Sequence, residues 1–291
     1  MTKINIFFII FATIFLTILF LKYGMKVLFI TQEITPYLPE TEMSSICRYL
    51  PQGIQEQGKE IRAFMPKFGC INERRNQLHE VIRLSGMNLI ISDSDHPLII
   101  KVASIQTARM QVYFIDNEEY FGRKQTFCND EKEYFADNDE RAIFFGRGVL
   151  ETVRKLRWQP NIVHCHGWFT GLVPLYVKKA FREDPLYSKA KVVYSIYNDS
   201  FQTPFNSDFK AKAIIDGVAK KDVAPLDKPN YLTLSKVAIN FSDGFIIVGN
   251  EIHNGVEDFL KASNKPVIHH NPETYIQDYS AFYEDLLKPN S

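Results

Sequence analysis

No two cysteines in this sequence are spaced C-x-x-C, no serine stands in a G-x-S-x-G turn, and neither sign of charge is in excess. Each absence removes a class of function. Cys47, Cys70, Cys128 and Cys165 are scattered through 291 residues. They read as reduced thiols rather than a disulfide framework, which favours a reducing compartment. The 34 basic and 34 acidic side chains cancel, so there is no basic stripe and no nucleic-acid partner is expected. Without a nucleophile elbow, a hydrolase triad has no support. No solenoid repeat, low-complexity tract, charge block or internal linker is evident.

What is present describes a globular chain with a full-sized core. The hydrophobic fraction is 45% and the aromatic fraction 13%, and most of the phenylalanines are expected inside. One long apolar run, "INIFFIIFATIFLTILFL" at residues 4–21, lies between Lys3 and Lys22. It is long enough to span a bilayer as a helix, and no small-x-small cleavage site follows it. "MKVLFIT" from Met25 also reads as a complete start, so residues 1–24 are either a transmembrane helix or the product of a mis-called start. Cytoplasmic placement is expected, with anchoring to the inner membrane if residues 4–21 are translated.

From Met25 to residue 291 the chain reads as one unit of alternating strands and helices. "KVLFIT", "EIRAFMP", "NIVHCH", "KVVYSIY", "DGFIIVG" and "KPVIHH" are short β-rich runs. "SSICRYLPQGIQEQG", "DNDERAIFFGRGVLETVRKLRW", "TGLVPLYVKKAFRE", "YLTLSKVAINFS" and "NEIHNGVEDFLKAS" (opened by Asn250) have helical spacing. "PETYIQDYSAFYEDLLK" closes the chain with Tyr275, Tyr279, Phe282 and Leu286 on one stripe and Pro272 near its start. Between residues 80 and 115, "VIRLSG", "PLIIKVAS" and "MQVYFID" read as strands without helical period, a β-hairpin insertion. The expected fold class is α/β: a single Rossmann-like domain with a mostly parallel sheet and helices on both faces.

"PNIVHCHGWFTGLVP" at residues 160–174 carries the most chemistry. On a strand, His164 and His166 share a face and Cys165 takes the other. Two ligands do not make a metal site, and His269 and His270 bring no carboxylate in ligand spacing, so no metal and no cofactor is expected. Open α/β sheets bind ligands beyond the carboxyl ends of their strands, where His166, Gly167 and Trp168 fall. Trp168 there either packs on a sugar ring or seals the following helix against the sheet.

Over residues 25–262 the chain resembles the N-terminal half of a bacterial glycogen synthase or starch synthase, retaining glucosyltransferases of the two-Rossmann GT-B arrangement. "MKVLFITQEITPYLPE", "LPQGIQEQGKEIRAFMPKFG", "IDNEEYFGR", "DNDERAIFF", "PNIVHCHGWFTGLVPLY", "VVYSIYNDSFQ" and "KVAINFSDGFIIVGNEI" follow in the family's order. The resemblance implies a role in α-glucan metabolism, and substrate contacts at Trp168, Asn198, His166, Tyr197 and Tyr120.

The departures are as specific as the matches. Where the family has the lysine and two glycines of its diphosphate-binding Lys-x-Gly-Gly loop, this chain has Pro39, Thr41 and Glu42, and Ser45 stands for a following aspartate. Proline brings neither charge nor an amide donor. His-Asp-Trp is here His166-Gly167-Trp168, His-Asn is Tyr197-Asn198, and a later asparagine aligns loosely with Thr233. The paired glutamates and the Arg/Lys phosphate clamp of the family's second Rossmann domain do not occur in the sequence. Two readings follow: a degenerate domain, non-catalytic alone, that binds glucan or a partner; or a genuine glucosyltransferase from ADP-glucose to α-1,4-glucan, active alone or completed by a partner protein's second domain in trans. Whether the chain is an enzyme stays open between them.

Overall fold

A computed structural model describes residues 24–289. The elements, in chain order, begin with β1 (Lys26–Thr31), α1 (Glu42–Glu56), β2 (Glu60–Pro66), β3 (His79–Glu80), β4 (Met87–Ile91), β5 (Ser94–Ile105) and β6 (Met110–Asp116). They continue with α2 (Glu118–Phe121), α3 (Asn138–Lys155), β7 (Ile162–His166), α4 (Val173–Lys178), β8 (Lys191–Ile196) and α5 (Phe209–Lys212). The last are α6 (Tyr231–Phe241), β9 (Gly244–Ile247), α7 (Asn254–Ala262), β10 (Val267–His269) and α8 (Tyr275–Leu287). Among the described residues no helix is long and apolar enough to cross a membrane. The apolar run 4–21 lies outside them.

The sheet runs β10-β9-β8-β7-β1-β2-β6-β5-β3, with β4 paired to β5. From β10 to β6 every pairing is parallel; β5 joins β6 antiparallel, and β3 and β4 join β5 the same way. Strand order reverses between β1 and β7, and loops leaving such a reversal diverge and open a crevice. The segments after β1 and β7 therefore face one another.

Near-continuous apolar strands need cover on both faces, and the helices provide it. His164 on β7 touches Tyr283 of α8, and Gly53 of α1 lies against Ile276 of the same helix. On the opposite face Gly148 of α3 lies against Ile115 of β6, and Gly146 against Val173 of α4.

Several boundaries differ from the periodicity-based expectation, each for a local reason. "VIRLSG" is a turn, because Ser85 donates to the Val81 carbonyl and accepts the amide of Ile100. "MQVYFID" belongs to the parallel sheet beside β2, so only β3, β4 and β5 form the antiparallel appendage. Asn250 does not open α7. Gly249 turns at φ +89°, and the helix starts after His253, whose Nδ1 accepts the amide of Gly255. The helix after β7 contracts to Val173–Lys178, preceded by a 3-10 turn at Trp168–Thr170.

The closing helix docks on its own domain. Tyr279, Phe282 and Tyr283 are buried, with Tyr275 and Leu286 partly so. Tyr283 pairs with His164 Nδ1 at 2.7 Å, and Tyr279 with His270 at 2.8 Å. Lys59, almost fully buried, donates to Ser280 at 2.6 Å and pairs with Glu284 at 3.1 Å. Removing α8 would take from each of these groups its partner on the helix and uncover the helix's apolar seat. Truncation before about Lys265 is expected to lower the melting temperature or cause aggregation, read by thermal unfolding and light scattering. A truncated protein as stable and soluble as its parent would make the helix dispensable.

Candidate functional site

The loop after β1 delivers the chain to the first turn of α1, where a helix N-terminus leaves amides for an incoming anion. Here the protein uses two of them itself, those of Thr41 and Ser44. Thr41 is the N-cap: its Oγ1 accepts the amide of Ser44 at 2.9 Å, while Ser44 Oγ accepts the amide of Thr41 at 2.8 Å. Ser44 Oγ lies 3.1 Å from the Pro39 carbonyl, Thr41 Oγ1 donates to Glu33, and Ser45 donates to Glu40 at 3.3 Å. Burial pushes the Glu33 carboxyl up, against the hydrogen bonds from Thr41 and Ser44. Glu42 reaches across the crevice mouth, its Oε2 3.9 Å from where a Cβ on Gly249 would stand. A proline, a capped turn and the carboxylates of Glu33, Glu40 and Glu42 thus gather between the end of β1 and the first turn of α1.

The other wall begins at β7. His164 and His166 are both buried, with ring centroids 3.9 Å apart. His164 lies between the Tyr283 hydroxyl and Ser195 Oγ, each at 2.7 Å. His166 Nδ1 pairs with the Tyr197 hydroxyl at 2.8 Å, and its Nε2 is buried without a protein partner. Burial holds His164 well below the usual histidine range and His166 at about 3, so both rings are neutral at pH 7.

Trp168 follows, but inward. It is 2% exposed, with Phe201 at 4.8 Å, Phe127 at 5.1 Å and Phe205 at 5.9 Å between ring centroids. In this conformation it seals the turn rather than offering a stacking face. Tyr197 is buried and Asn198 exposed, on the strand register next to β7. Tyr120 is also enclosed: its hydroxyl meets His96 Nε2 and Glu140 at 3.0 Å, and its ring packs on Phe144. Neither its hydrogen bonds nor its ring contacts reach Trp168, Tyr197 or Asn198. The fold brings His166, Trp168, Tyr197 and Asn198 to one strand end and leaves Tyr120 in a separate network.

Three residues not singled out by pattern stand at the centre. Gln32 Oε1 accepts the amide of Phe169 at 3.2 Å, and a Cβ on Gly167 would lie 2.3 Å from that oxygen. Gly167 also turns at φ +81°, so glycine there answers both the backbone and Gln32. Asp199 accepts the amide of Trp168 and the hydroxyl of Tyr231, each at 3.1 Å. Glu33 is the third. Their signal in the sequence was position alone, a polar side chain one to three residues beyond an apolar strand. Among the described residues no three His, Cys, Asp or Glu side chains gather closely enough to hold a metal ion.

Both histidines lose protons on folding, which sets a direction for pH. The unfolded chain binds more protons between about pH 3 and the ordinary value of 6.5. Stability from this pair is therefore complete above pH 6.5 and lost as pH falls toward 3. Asp199 works in the opposite sense, so the test is a difference. Urea midpoints measured from pH 7.5 to 4 should fall less steeply for His166→Gln than for the parent. Parallel profiles would remove the histidines from the account.

Comparison with known proteins now has a geometry to act on. A family model described as the starch synthase catalytic domain matches residues 26–259. The glycogen synthase of Chlorobium limicola is 37% identical over 174 residues, 60% of this chain and 36% of that protein. The glycogen synthase of Chlorobaculum tepidum is 38% identical over 187 residues, 62% of this chain and 38% of that protein. These alignments span little more than a third of the relatives' own length. The catalytic domain of starch synthase IV from Arabidopsis thaliana, in a structure bound to ADP and acarbose, has the same fold. Its TM-score is 0.69 at 19% identity, covering 84% of this chain and 51% of that one.

Proposed function

The chain belongs to the starch synthase catalytic domain family, and from that membership we propose a domain of α-glucan metabolism that binds glucan or a partner protein and does not itself transfer glucose. The observation that carries this reading is the filled first turn of α1. Rossmann-like domains hold phosphates where amides at a helix N-terminus point into the crevice. In this chain the Thr41–Ser44 capping box takes two of those amides, its own, and Glu33, Glu40 and Glu42 stand beside them with charge of the ligand's own sign. Coulomb repulsion between unit charges 4 Å apart is about 4 kcal/mol at an effective dielectric of 20. A sugar nucleotide is disfavoured on both counts, while a neutral saccharide is not.

Two features support the glucan arm. Asn198 stands exposed at the end of β8, and a cavity of about 310 Å³ opens beside Pro36 and Tyr37, with Asn76, Gln77, Ser104 and Gln106 in its lining. Arg75 lines it as well, and the amides and hydroxyls beside Tyr37 suit saccharide hydroxyls. The test of the reading is transfer itself. The purified protein from Met25 onward, given labelled ADP-glucose or UDP-glucose and glycogen, should incorporate no more label than a denatured control. Incorporation above that control would establish the transferase reading instead.

A further inference from the structure

The segment that follows β1 divides its chemistry between two sides. Glu33 and Glu40 accept the hydroxyls of Thr41 and Ser45 at the first turn of α1. Pro36 and Tyr37 instead line the cavity of about 310 Å³ that they share with residues 75–77 and 104–106. No carboxylate stands in that lining, and its one charged residue is Arg75. Four further cavities, of about 290 to 380 Å³, each carry at least one carboxylate, Asp243, Asp184, Asp278 and Asp93 among them. The cavity beside Tyr37 differs from these in the sign of its charge.

A second guanidinium stands behind it. Arg48 on α1 is 7% exposed, and among the described residues its partners are neutral: Gln52 Oε1 at 2.7 Å, Thr107 Oγ1 at 3.4 Å and the Tyr49 ring at 5.1 Å. Gln52 in turn donates to Glu56 at 2.7 Å, which leaves that carboxylate one side chain removed. A nearly buried charge is ordinarily paired, and this one lies against the cavity wall. Thr107 continues the 104–106 lining, and the Arg48 charge acts on the hydroxyl of Tyr37. Burial pushes that hydroxyl up to about 12 against the pull of Arg48, so it stays a donor at neutral pH. Glu73, two residues before Arg75, is already taken: Lys67 and Lys101 each hold its Oε1 at 2.7 Å.

We propose that the cavity beside Tyr37 binds a small sugar phosphate, with Arg75 taking the phosphate in the field of Arg48, and Asn76, Gln77, Ser104 and Gln106 taking the sugar hydroxyls. An arginine fork matches two phosphate oxygens at once. Side-chain amides and hydroxyls both donate and accept, as sugar hydroxyls do. Ligand pockets run from about 300 to 1,000 Å³, so a cavity at the small end suits a monosaccharide and is too small for a nucleotide. The sugar half of this ligand rests on the glucan reading above; the anionic half does not.

Calorimetric titration of the purified protein with glucose 6-phosphate should show saturable binding, tighter than that of glucose or inorganic phosphate and weakened by added salt. Arg75 is exposed, so Arg75→Gln spares the packing. It should weaken glucose 6-phosphate by at least about tenfold, the loss of one charge-assisted hydrogen bond, and leave glucose unaffected. No saturable binding of glucose 6-phosphate, or binding that Arg75→Gln leaves unchanged, overturns the site. Inorganic phosphate binding as tightly overturns it too, because the sugar would then contribute nothing. Maltotriose titrated in parallel separates the two readings. If it does not bind while Arg75 still governs glucose 6-phosphate, the glucan reading falls and the sugar-phosphate site stands.

Discussion

The first turn of α1 must satisfy amides that the helix cannot satisfy internally, and how it does so governs the crevice. Thr41 and Ser44 cap each other's backbone, and Glu33 accepts the Thr41 hydroxyl. An N-cap of this kind contributes about 1 kcal/mol to the helix. It also engages two of the donors an anion would use, the amides of Thr41 and Ser44. The domain has the strand reversal that opens a crevice, with the capped turn and the carboxylates of Glu33, Glu40 and Glu42 on one side of it.

The same economy runs through the opposite wall. His166 and Trp168 survive as residue types, yet the surroundings convert them into interior groups. Tyr197 takes one imidazole nitrogen, a ring of phenylalanines takes the indole, and α8 closes over His164 from the same face. Gln32 and Asp199 then tie the intervening turn to both neighbouring strands. A wall built this way is ordered by hydrogen bonds between segments distant in sequence.

Much of the architecture was legible in the sequence because strands buried on both faces must be apolar throughout. "EIRAFMP" is β2 to the residue, and the Tyr279–Phe282 stripe correctly announced a docked helix. The appendage was harder: "VIRLSG" has strand composition, but Ser85 bonds it into a turn. Asn250 is a good cap by type, yet Gly249 directs the chain elsewhere and His253 caps instead. The burial of Trp168 could not be read, since Phe127, Phe201 and Phe205 come from separate segments and only the fold assembles them. Asp199 was invisible for the same reason. Nothing next to it in sequence shows that its neighbour in space is Glu33 rather than a lysine.

The central claim is that the capped, acidic turn has exchanged a diphosphate for a neutral ligand. Isothermal titration calorimetry with ADP tests it most directly, on the parent and on a variant carrying Pro39→Lys, Thr41→Gly and Glu42→Gly together. The account predicts no saturable heat from ADP with the parent at millimolar concentration, and measurable binding once the turn is reopened. Tight, saturable binding of ADP to the parent would contradict it, because the turn would then hold a diphosphate despite its cap and its carboxylates.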